Sequence, residues 1–100
     1  TAEFHRLYQC PIKHSPTIPS KRICDLRVAL IEEELNELAD AINEDDLVEI
    51  ADALCDIQYV LSGAVHSFGM GSIFKYMFEE IVPFRFDEME SRIDLQRFLG

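Results

Sequence analysis

Two runs of acidic residues dominate the chemistry open to this chain. In LIEEELNELADAI, residues 30–42, Glu32, Glu33, Glu34 and Glu37 crowd together. In EIADALCDIQYVLSG, Glu49, Asp52 and Asp56 are spaced i, i+3, i+7. Carboxylates in such numbers stay in water, pair with bases, or gather around a hard cation. Where the helices point them decides which.

An α-helix advances about 100° per residue. With Glu33 at zero, Leu26, Leu30, Ala41, Leu38, Ile31, Ile42, Leu35 and Val28 cover an arc from about 20° to about 220°. Glu32, Asn36 and Asp40 fall between about 260° and 340°, the wet face. Glu37 falls near 40° and Glu34 near 100°, inside the apolar arc, with Glu33 on its edge (all approximate wheel positions). The pattern thus predicts that Glu34 and Glu37 point toward the core. Burying an unpaired carboxylate costs several kcal/mol, so something must offset it. Arg27, near 120° on the same approximate wheel, offers a salt link to Glu34. One arginine satisfies one glutamate, not three.

On the following helix Glu49, Asp52 and Asp56 lie within about 60° of one another. They border an arc of Ile50, Ala53, Leu54, Ile57, Val60, Leu61 and Ala64. Each has a plain structural reading. Glu49 stands three residues after Asp46, as in a capping box, and Asp56 suits an exposed helix position. Packed antiparallel, however, the two helices bring both acidic stripes into one pocket. Oxygen-only ligation of this kind suits Mg²⁺ first and Mn²⁺ second. No histidine stands at ligand spacing from these acids, which disfavours zinc and di-iron sites.

Those helices must fit into 100 residues, the size of one domain, residues 1–100. A chain of this size builds a thin core, which makes association with further copies an expectation. The formal net charge of −10 argues against coating a nucleic acid. Three cysteines without a CxxC pair predict a reduced, cytoplasmic setting. No apolar run is long enough to span a membrane, and Thr1 opens no signal-peptide pattern.

Apolar spacing and capping residues predict the elements. Phe4, Leu7 and Tyr8 suggest a short first helix, and CPIKHSPTIPS a proline-rich arm. Ser20 caps a long helix reaching about Asn43, and Asp46 a second reaching about Phe68. Glycines in FGMGS end it. Ser72 opens a third helix closed by Pro83, and Asp87 caps a last one ending at Gly100. The fold class is all-α: a helical bundle built on an antiparallel helix hairpin and completed by oligomerisation.

Glu33-Glu34-Leu35-Asn36-Glu37 matches an E-E-x-x-E motif, and Glu49-Ile50-Ala51-Asp52 the E-x-x-D that follows it. Together they resemble the all-α nucleoside triphosphate pyrophosphohydrolases, the MazG-like and dimeric-dUTPase superfamily. DLVEIADALCDIQYVLSGAVHSFG and FHRLYQCPIKHSPTIP look most like its single-domain members related to phosphoribosyl-ATP pyrophosphohydrolase. The resemblance implies Mg²⁺-dependent hydrolysis of a nucleoside or deoxynucleoside triphosphate to the monophosphate and pyrophosphate. Carried over, Glu33, Glu34, Glu37, Glu49 and Asp52 are metal-site carboxylates, with Asp56 beside them. Glu34 is the expected base for the attacking water, since desolvation should raise its pKa. The resemblance also implies a homodimer or homotetramer. Base preference stays open among uridine, cytidine and broad specificity. Relatives carry an Asn/Lys-containing phosphate-contacting segment after the third helix. Here FKYMFEEIVPFRFDEMESRI offers Lys75, Arg85 and Arg92, which read as solvated surface charges. The alternative function is a non-catalytic helical module that senses metal or nucleotide.

Overall fold

A computed structural model describes residues 15–81 and 88–100 of the chain. Four α-helices follow one another: α1 (Lys21–Asn43), α2 (Leu47–Ser67), α3 (Phe74–Ile81) and α4 (Glu88–Leu99). No strand occurs among the described residues. The all-α expectation holds. The expected helix around Phe4–Tyr8, most of the proline arm, Pro83 and Asp87 lie outside the described residues. No described helix is long and apolar enough to cross a membrane.

Local chemistry sets the helix ends. Ser20 Oγ accepts from the Ile23 N–H at 3.4 Å and so starts α1. The Glu44 N–H donates to the Asp40 carbonyl at the other end. Asp45 then takes a positive φ of 54°, a conformation that a short polar side chain tolerates. Asp46 Oδ1 accepts from the Glu49 N–H at 3.1 Å, which opens α2. Gly69, at φ 73°, closes that helix: its N–H donates to the His66 carbonyl, and the Met70 N–H to that of Val65. A Cβ at Gly69 would also run into the Ser15 carbonyl. The incoming chain therefore passes close to the end of α2, held by the Thr17 N–H on the Phe68 carbonyl at 2.9 Å. Helix α3 starts at Phe74, two residues after the expected Ser72, because residues 71–73 form a turn.

With only three residues between them, α1 and α2 fold back as the expected antiparallel hairpin. Leu30 and Val60 form its centre, flanked by Leu26 and Ile31. Ala41 and Ala53 are buried nearer the turn. Helix α4 packs against α3 as a second pair.

The apolar arc of α1 is only partly buried. It was expected to face the core throughout, but its buried members are Ile23, Leu30 and Ala41, with Arg27 among them. Val28, Leu35 and Ile42 are each more than half exposed. A single neighbouring helix covers only part of a 200°-wide arc (an approximate span). On α2, Leu47, Leu54 and Leu61 are exposed in the same way. Both sets repeat every seven residues. Counted from the turn, Val28 stands level with Leu61, Leu35 with Leu54, and Ile42 with Leu47. The wheel positions put both stripes on one side of the hairpin, and the acids on the other.

Candidate metal centre

Glu34 sits near the middle of the α1 face that meets α2, so its carboxylate is carried into the helix–helix seam. Three residues later Glu37 follows on the same face, and α2 brings Asp56 to meet them. Ligand oxygens from Glu34, Glu37 and Asp56 all lie within 4.8 Å of one another. Glu34 and Asp56 are half-buried, and Glu37 is exposed.

That exposure corrects the expectation for Glu37, which was placed toward the core. At the edge of the arc it emerges on the open side of the hairpin, where no other described helix covers it. Glu34 behaves as expected. Its Oε2 is enclosed and receives no hydrogen bond. Desolvation, then a hydrogen bond and repulsion from Glu37, then repulsion from Asp56 and Glu33, push its pKa from 4.5 up to about 7.

Arg27 does not relieve it. That side chain is 2% exposed, and its Nε donates to the buried Ser67 Oγ at 2.8 Å. It is turned toward the far end of α2, and every group acting on the Glu34 carboxyl raises its pKa. The salt link that would have made the cluster purely structural is not formed at Glu34. Nearby, burial and then the Arg27 charge lower the pKa of His66.

From Glu37 toward the turn, the seam opens into a groove of about 420 Å³. Its walls are Glu37, Asp40, Ala41, Glu44, Asp46, Glu49, Asp52 and Ala53. Glu49 and Asp52 therefore share the groove with Glu37, while Glu34 and Asp56 form the more enclosed cluster beside it. Glu37 belongs to both. Glu33 is exposed and acts on Glu34 only through its charge. Asp40, Glu44 and Asp46 were not singled out as site residues. A signal for two of them was present: Glu37, Asp40 and Glu44 repeat the i, i+3, i+7 spacing of Glu49, Asp52 and Asp56.

Asp46 is engaged as a helix cap. The expected reciprocal box is half present, since Asp46 Oδ1 accepts from the Glu49 backbone while the Glu49 side chain lines the groove. The bases after α2 stand apart from the groove lining. Lys75 lies 4.0 Å from Glu79 and Arg97 3.7 Å from Glu80. Arg92 is exposed, and Arg85 lies outside the described residues.

The donor set fits a hard divalent cation. It is made of carboxylate oxygens, one of them enclosed and lacking a hydrogen bond, in a wall of like charges that a cation would neutralise. Among curated proteins, none matches the chain. The family model for phosphoribosyl-ATP pyrophosphohydrolase matches residues 1–82. With that much of its length covered, the chain belongs to the phosphoribosyl-ATP pyrophosphohydrolase family, hydrolases that remove pyrophosphate from a nucleotide's triphosphate.

Proposed function

We propose that the chain is a Mg²⁺-dependent pyrophosphohydrolase of a nucleoside or deoxynucleoside triphosphate, with Mn²⁺ as a substitute ion. The observation that carries this reading is the Glu34 carboxylate: enclosed, surrounded by Glu33, Glu37 and Asp56, and given no cation among the described residues. Glu34, Glu37 and Asp56 would hold the ion in the cluster, and Glu49 and Asp52 would extend its reach into the groove. Glu33 tunes the field from the edge. Bound there, the ion would neutralise triphosphate charge and acidify a water.

The remaining steps belong to the protein's own groups. Glu34 Oε2 has an unused lone pair in a partly dehydrated setting. A pKa near neutrality makes it a base that accepts the proton of a water attacking phosphorus. The proton stays on that oxygen while pyrophosphate leaves. The groove walls repel a bare triphosphate, so only the metal-bound form enters.

The open stripes of Val28, Leu35, Ile42, Leu47, Leu54 and Leu61 support a homodimer. Their matched heights let the α1 stripe of one copy lie on the α2 stripe of another about a two-fold axis. Pairing of two such dimers would give the tetramer.

The test is pyrophosphate release from a panel of all NTPs and dNTPs together with phosphoribosyl-ATP, with Mg²⁺ present and absent. Turnover of one or more substrates only with metal is the expected result. Base preference, including any bias toward dUTP or dCTP, is read from the same panel. A non-catalytic sensor is the second reading. The absence of any basic side chain among the described groove residues favours it, since no described wall residue offers phosphate a positive charge. Binding of Mg²⁺ and nucleotide without turnover on the whole panel would establish that reading instead.

A further inference from the structure

The acidic face of the hairpin changes character along its length. From the cluster toward the turn every polar wall residue is a carboxylate: Glu37, Asp40, Glu44, Asp46, Glu49 and Asp52. In the other direction the acids of this face stop at Glu33 on α1 and Asp56 on α2. Asp25 lies farther round and pairs with Lys21 at 2.7 Å. The next large side chain on α2 is Tyr59, three residues after Asp56 and seven after Asp52, on the same side of the helix. It is 41% exposed. One turn beyond it lies Gly63, which is buried. In the register set by the Leu30–Val60 centre, Tyr59 stands level with Ile31 and Gly63 with Arg27.

A nucleotide has two ends of opposite chemistry. Its triphosphate enters a wall of carboxylates only with a divalent cation. Its base is a flat ring system that stacks on aromatic side chains, whatever the base. Among the described residues, the carboxylate wall suits the metal-bound phosphates and Tyr59 suits the base. We infer that Tyr59 is the stacking platform for the nucleobase, so that the substrate lies along the hairpin with its base toward the open end and its phosphates toward the turn. The inference rests on the pyrophosphohydrolase reading of the cluster and adds to it the direction in which substrate lies. The ring stands about one helical turn, roughly 5 Å along the axis, from the Asp56 position. That offset puts the α-phosphate of a stacked nucleotide beside Glu34, Glu37 and Asp56.

Calorimetric titration of the full chain tests this with two probes: the nucleoside monophosphates UMP, CMP, AMP and GMP, and inorganic pyrophosphate with Mg²⁺. Tyr59→Leu should weaken the best-bound monophosphate by about 5- to 150-fold, the span of base–aromatic stacking. Tyr59→Phe keeps the ring and should bind it as the parent does. Pyrophosphate with Mg²⁺ should bind equally to all three proteins. The platform is overturned if Tyr59→Leu holds the monophosphate as tightly as the parent, or if it loses pyrophosphate as well, the mark of a structural role. It is also overturned if the parent binds pyrophosphate with Mg²⁺ but no monophosphate. Failure of the parent protein to bind Mg²⁺ or its pyrophosphate complex would look different, and would remove both this inference and the reading beneath it.

Discussion

Glu34 is where burial and charge meet most sharply. Its folded pKa of about 7 lies above the ordinary 4.5. The folded, metal-free protein therefore keeps a proton that the unfolded chain releases between those values. The sign follows: this group favours folding most below about pH 4.5, and its contribution is lost as the pH rises to about 7. Glu34→Gln cannot ionise and keeps nearly the same shape. Between pH 4.5 and 8, a range chosen to bracket both values, the variant's melting temperature should rise relative to the parent's. Melting curves without metal measure it; parallel profiles would mean that the carboxyl ionises freely. Pyrophosphate release should fall by about two orders of magnitude or more, since both a base and a ligand are lost. Glu37→Gln should likewise lose activity without losing metal-free stability, because it relieves like-charge repulsion at Glu34 and its amide can still hydrogen-bond that carboxyl. Glu32→Gln, on the wet side of the same helix, should leave both turnover and melting temperature unchanged.

At the scale of the elements, caps and turns set the angle at which the acids meet. Asp46 accepts the Glu49 N–H, so Asp46→Ala should cost about 0.5–2 kcal/mol. Glu49→Gln keeps that backbone donor and should cost little. Denaturant titration of the two variants separates the cap from the groove: a large loss in Glu49→Gln would mean that its side chain also closes the box. Gly69→Ala tests the other end. It demands φ near 73° of a residue with a Cβ, and drives that Cβ into the Ser15 carbonyl. A loss of about 1–3 kcal/mol is expected from backbone strain, before any cost of moving the arm.

For the whole molecule, the hairpin separates its two chemistries onto opposite sides. Carboxylates occupy one side and seven-residue apolar stripes the other. Light scattering at tens of micromolar protein, an order of magnitude at which a stable dimer is formed, should give twice the chain mass or a multiple of it. Leu35→Glu combined with Leu54→Glu puts a charge in the middle layer of each stripe. That double variant should be monomeric while the acidic side is untouched. A parent chain already monomeric under these conditions would overturn the two-fold arrangement. Mg²⁺ at about 100 times its dissociation constant should stabilise the parent by about 2.7 kcal/mol. Glu37→Gln should show less of that shift, read as the melting temperature with and without metal.

Much was decided by the amino-acid sequence alone. Ser20 and Asp46 announced their helices because capping depends on a side chain and a backbone N–H three residues away. The pairing of two acidic stripes was legible because helical periodicity survives without tertiary context. So was the position of Glu34, which lies near the centre of any plausible buried arc. Glu37 was not legible in the same way. An arc marks which residues can be buried, whereas the number of neighbouring helices sets how many are. Here one neighbour covers the middle and leaves Glu37 on one flank and Val28, Leu35 and Ile42 on the other. Arg27 illustrates the same limit: its wheel position fitted a bond to Glu34, yet the end of α2 brought Ser67 within 2.8 Å of it. Which partner a buried charge takes depends on groups 40 residues apart in the chain, and only the packing of the two helices fixes that distance.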